Sequence, residues 1–92
     1  MKSAYELAME RLQGQAPTRA LSPAQKSELA ELESLYKAKI AEREIALGDS
    51  IQSALAAGDH ARAEELREQL VRERARLEED REARKERVRQ GG

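Results

Sequence analysis

The fold is decided by the stretch Ile51-Gln52-Ser53-Ala54-Leu55-Ala56-Ala57-Gly58-Asp59-His60-Ala61-Arg62-Ala63-Glu64-Glu65-Leu66, a short break between two runs with apolar residues at helical spacing. Gly58 tolerates the left-handed backbone that closes many helices, and Asp59 accepts hydrogen bonds from the first N–H groups of a following helix. One helix therefore ends and the next begins with almost no loop, and so short a connection joins antiparallel neighbours. Outward from the break, Ile51 falls opposite Leu66, Leu47 opposite Leu70, Ile40 opposite Leu77 and Leu29 opposite Val88. Each pair of residue numbers sums to 117, as an antiparallel hairpin closed at residues 58 and 59 requires.

The spacing predicts an all-α chain: a helix over about 23–57, a turn at 58–59 and a helix over about 60–90, forming one long, coiled-coil-like hairpin. Ser22-Pro23-Ala24-Gln25 is a strong start for the first arm. Ser22 caps, Pro23 takes the first helical position where a missing N–H costs nothing, and Gln25 returns the capping-box bond. The stripe of this arm is Leu29, Leu32, Tyr36, Ile40, Leu47, Ile51 and Leu55. Leu29, Ile40 and Ile51 are spaced by 11, a period that gives a nearly straight or slightly right-handed pair. Gly48 lies inside the pattern and costs about 1 kcal/mol relative to Ala. Because the stripe stays in phase across it, the helix is expected to run through without a break.

The second arm has a narrower stripe of Ala63, Leu66, Leu70, Leu77 and Val88. Beyond Leu77 the sequence is almost wholly charged, with pairs such as Glu82/Lys85 and Glu86/Arg89 at i, i+3, each contributing roughly 0.2–0.5 kcal/mol. The seam is thus rich beside the turn and thins outward, and register places Arg81 as the neighbour of Tyr36. Leu35, Ala38 and Ile45 point away from the seam. A two-stranded hairpin leaves them wet, so they mark a candidate interaction surface for another helix, a partner or a second subunit.

Ahead of the hairpin, Ser3 and Glu6 form a capping box, Ser-x-x-Glu, opening a short helix over 4–13. Tyr5, Ala8, Met9 and Leu12 make its apolar face, and Gly14 supplies its stop. Residues 14–22, with Pro17, read as a linker; Leu21 has a poor staple partner in Lys26. A helix this short is marginal alone in water, so it either docks or frays.

Composition bounds the function. The 92 residues are 38% charged and include no Cys, Phe or Trp, which allows one small domain with a thin core. Such a seam cannot enclose a substrate-sized pocket, typically about 300 Å³ or more. Without Cys there are no disulfides or thiolate sites, which suits a cytoplasmic protein. No apolar run marks a leader or a membrane span. The 17 basic and 18 acidic residues give a net charge of −1, too balanced for a long-range field that attracts nucleic acid.

Two segments, Lys2-Ser3-Ala4-Tyr5-Glu6-Leu7-Ala8-Met9-Glu10-Arg11-Leu12 and Leu35-Tyr36-Lys37-Ala38-Lys39-Ile40-Ala41-Glu42-Arg43-Glu44-Ile45, together with Leu21-Ser22-Pro23-Ala24-Gln25-Lys26, resemble a group of short uncharacterised bacterial proteins. The resemblance implies a bacterial protein whose first helix belongs to the domain. It implies no activity, cofactor or partner.

No chemistry converges on a site. His60, the one histidine, follows Asp59 at a helix start, where sequence neighbours point in different directions, and reads as a surface residue. No Glu-x-x-His motif suits a helical di-metal centre, no Gly-rich loop suits a phosphate, and no cofactor is expected. Glu42 and Glu44 read as solvated faces. The second arm carries ten cations and nine carboxylates; only its tail, with Arg84, Lys85, Arg87 and Arg89, is locally basic and offers a nucleic-acid contact. The sequence therefore predicts a non-enzymatic interaction or scaffold protein that binds a protein partner or itself. A nucleic-acid- or ribosome-associated factor using the basic tail is the alternative.

Overall fold

The computed structural model describes residues 3–15 and 20–91 and consists of three helices: α1 (Ala4–Gln15), α2 (Pro23–Ala56) and α3 (His60–Arg89). α2 and α3 pack against each other along their lengths as an antiparallel hairpin. At 1.5 Å per residue their 34 and 30 residues give arms of about 51 and 45 Å. α2 passes through Gly48 as unbroken helix.

Local hydrogen bonds explain why the chain turns where it does. Gly58 has φ +74°. Asp59 N–H donates to Ala54 O at 2.8 Å and Gly58 N–H to Leu55 O at 3.0 Å, a Schellman closure that satisfies the last carbonyls of α2. Asp59 then caps α3, its Oδ1 accepting from Arg62 N at 3.0 Å. At the other end of α2 the capping box is complete: Gln25 N donates to Ser22 Oγ at 3.1 Å, and Ser22 N donates to Gln25 Oε1 at 2.8 Å.

The apolar core sits beside the turn. Leu47, Ile51, Ala54, Ala63 and Leu66 form one buried cluster, with Leu55 and Leu70 packed against it. The pairs 47/70, 51/66 and 54/63 follow the mirrored register. One seam residue differs from expectation. The last turn of α2 faces α3 through Ala54, 8% exposed, while Leu55 is only partly buried. Opposite Ala54 lies Ala63, which is fully buried. The three-residue connection, Ala57 to Asp59, keeps the helices close together there, and small side chains fit that approach.

α1 begins on Ser3, whose Oγ accepts from Glu6 N at 3.2 Å. It continues through Gly14 to Gln15, two residues beyond the expected end, because glycine permits a left-handed stop without imposing one. Among the described residues α1 packs on neither α2 nor α3, and Tyr5, Leu7 and Met9 are exposed. The side chain of Leu12, expected on this face, and Pro17 of the linker lie outside the described residues.

Candidate interaction surface at the open end

Far from the turn, polar contacts replace the apolar seam. Gln25, already part of the α2 cap, donates from Nε2 to Val88 O at 2.9 Å, tying the start of α2 to the last turn of α3. Tyr36 is buried, 3% exposed. Its hydroxyl accepts from Arg84 Nη1 at 3.3 Å, with Lys39 Nζ 5.0 Å and Arg84 Cζ 5.8 Å from the ring centroid, within cation–π range. The expected neighbour of Tyr36 was Arg81. Arg84, one helical turn further along, takes that place, and Arg81 pairs with Glu82 instead at 3.2 Å. Lys85 forms an ion pair and hydrogen bond with Glu33 across the hairpin. That hydrogen bond is the first cause, and the Lys85 charge a further one, holding the Glu33 carboxyl below its ordinary 4.5. Midway along, Arg43 Nε and Nη2 meet Glu73 Oε1 and Oε2 at 3.0 and 3.3 Å, and Arg74 reaches Glu44 at 3.7 Å.

These contacts sort the four cations of the basic tail. Arg84 is committed to Tyr36, and Lys85, whose side chain is only 14% exposed, to Glu33. Arg89 pairs with Glu86 at 3.3 Å within its own helix. Arg87 is exposed and has no ion pair among the described residues. The segment is therefore partly a fastening for the hairpin, with its cations directed to different neighbours.

The apolar candidates are also divided. Leu35 is 42% and Ile45 66% exposed, and Ala38 is exposed; among the described residues α1 covers none of them. Leu35 alone lines an open groove of about 560 Å³, whose floor is Leu32, Leu35 and Val88, with Glu28 and Glu31 along α2 and Arg84 and Arg87 along α3. The groove is a trough between two helices, not an enclosed cavity, so it suits a flat or helical surface better than a small ligand. Ala38 and Ile45 do not line it. Sequence reasoning placed Leu35, Arg84 and Arg87 in separate proposals, whereas the fold brings them together. The hairpin register alone contained that signal, since residues 35 and 84 nearly satisfy the constant.

Among the described residues no group of three or more His, Asp or Glu side chains is arranged to hold a metal, and no helix is long and apolar enough to cross a membrane. His60 is exposed in the first turn of α3. No protein-family model, curated protein or solved structure matches the chain.

Proposed function

We propose that this chain is a non-enzymatic interaction or scaffold protein that works through an exposed surface of the hairpin. The observation that carries the reading is the open-end groove, in which Leu32, Leu35 and Val88 lie between an acidic wall and a basic wall. Apolar surface rimmed by charge is the usual make-up of a protein-binding patch. The exposed Ala38 and Ile45 of α2 add apolar surface outside the groove. A nucleic-acid- or ribosome-associated role is less well supported, because Arg84 and Lys85 are engaged with Tyr36 and Glu33 of α2 and carboxylates flank the remaining cations.

Affinity purification of the intact chain from its host, run in parallel with Leu35→Glu, tests the reading. Capture of a defined set of proteins, or of the chain itself, that is lost with Leu35→Glu at unchanged helicity is expected. Retention of the wild type on RNA at physiological salt, abolished by Arg87→Glu and unaffected by Leu35→Glu, would overturn it in favour of the nucleic-acid role.

A further inference from the structure

The broad face of the hairpin that contains the groove carries charges that find no partner among the described residues. Of the six carboxylates on α2, Glu33 and Glu44 pair with α3, while Glu28, Glu31, Glu42 and Asp49 make no ion pair among the described residues. On α3 the cations without an ion pair or a tyrosine contact among the described residues are Arg72, Arg76 and Arg87. At 100° per residue, Glu31 and Glu42 share the outer edge of α2 with Leu35. Arg76 and Arg87 share with Ala83 the edge of α3 on the same side of the hairpin, the side on which Leu35 and Arg87 line one groove.

The spacings match. Glu31 and Glu42 are 11 residues apart, as are Arg76 and Arg87, so each pair spans about 16.5 Å. We infer that this face binds a second copy of the chain, two hairpins stacking as an antiparallel four-helix bundle about a two-fold axis parallel to their length. That operation lays α2 of one protomer on α3 of its partner with open ends together and residue levels preserved. Glu31 then meets Arg87 of the partner subunit, Glu42 meets Arg76 of the partner subunit, and Leu35 packs on Ala83 of the partner subunit. Lys39, already beside the Tyr36 ring, meets Glu79 of the partner subunit. Each of these pairs of numbers sums to 118, within one residue of the register inside the hairpin, and every charged pair is of opposite sign.

The alternatives on this face fit less well. A two-fold axis across the hairpin would stack α3 on α3 and return arginines to arginines. A closed two-fold pairing is also the commonest way for a chain to satisfy its own surface. The charged rim makes the association sensitive to salt, since these pairs sit at an exposed edge where screening is effective.

The inference rests on the interaction reading above and fixes its occupant. Sedimentation equilibrium of the intact chain is expected to give twice the 10.3 kDa chain mass, falling toward one chain mass as salt rises. Glu42→Arg and Arg76→Glu each place like charges together twice per dimer and are expected to give monomers of unchanged helicity. The double variant Glu42→Arg/Arg76→Glu is expected to restore the dimer. A monomer at all concentrations overturns the second copy as occupant but leaves the interaction reading to its own capture experiment. A dimer that both single variants leave intact overturns this face.

Discussion

Gly48 and Gly58 invite the same substitution with opposite outcomes. Gly48 sits in the interior of α2, within unbroken helix, and a methyl group added there meets nothing within 4 Å beyond its chain neighbours and the helix's own backbone. Replacing it with Ala removes the excess backbone entropy that glycine loses on entering a helix and introduces no clash. The expected gain is about 0.8–1 kcal/mol. For a chain of this size that raises the midpoint of thermal unfolding by roughly 4–8 °C. Gly58 also has open space around its Cβ position, but its φ of +74° is costly for any L side chain. Ala there strains the backbone by about 1–2 kcal/mol and should lower the midpoint by a comparable amount. Urea and thermal unfolding followed by far-ultraviolet circular dichroism, at one fixed protein concentration because association shifts apparent stability, measure both. The reasoning is refuted if Gly48→Ala destabilises. That result would mean α2 bends or opens at Gly48, and that the continuous stripe from Leu47 to Ile51 is not one helix face.

Leu66→Ala, which truncates a residue only 4% exposed in the buried cluster, should cost about 2–4 kcal/mol in urea titration; a loss under 1 kcal/mol would show that the cluster does not hold the arms together. Tyr36→Phe keeps the ring and removes the hydroxyl that accepts from Arg84, so a loss of about 0.5–1.5 kcal/mol is expected, and no change would mean the contact is replaced by water at no cost. The Glu33 carboxyl is held below its ordinary 4.5 by Lys85, so its contribution is fully present above that value and is lost as pH falls through the lower folded value. Unfolding midpoints of the wild type and Lys85→Met should therefore differ near neutrality and converge in acid; curves that stay parallel through acid would remove the ion pair from the balance.

The hairpin was legible because its signals are local and redundant. Gly58 and Asp59 satisfy backbone groups within five residues of themselves, and the stripes of Leu47, Ile51, Leu66 and Leu70 repeat a single constant. What the sequence left open depends on distances between helix axes and on the reach of long side chains. Register gave Tyr36 the neighbour Arg81, but a guanidinium on a flexible stem reaches as far as the helix spacing allows, and Arg84 arrives instead. Likewise Leu55 was expected on the seam, yet Ala54 is the buried residue of that turn and Leu55 packs at the edge of the cluster. Gln25 was legible as a cap and not as a clasp, because its second partner, Val88 O, lies 63 residues away. The groove was hidden for a related reason. Its unpaired acids and cations stand out only once the other charges of α2 and α3 have been matched to their partners across the hairpin.

The two ends of the hairpin are thus fastened by different chemistry, and this fixes where the molecule opens first. At the closed end, apolar burial and the Schellman turn hold residues 47–66 in one cluster. At the open end the fastenings are Gln25 to Val88 O, Arg84 to Tyr36 and Lys85 to Glu33, single polar contacts of long side chains that hold the arms more weakly than a buried apolar cluster. Amide exchange should therefore be slowest around Ile51 and Leu66 and progressively faster toward Leu29 and Val88, because the open end separates without exposing the buried cluster. A second protomer on the groove would protect the open end selectively. The gradient should then be steeper in Glu42→Arg than in the wild type, with amides around Leu35 and Ala83 gaining most from association and those near Gly58 gaining little. Uniform protection along both arms in Glu42→Arg would contradict the division of the hairpin into two ends. A change on association centred on the turn would place the contact between protomers at the wrong end.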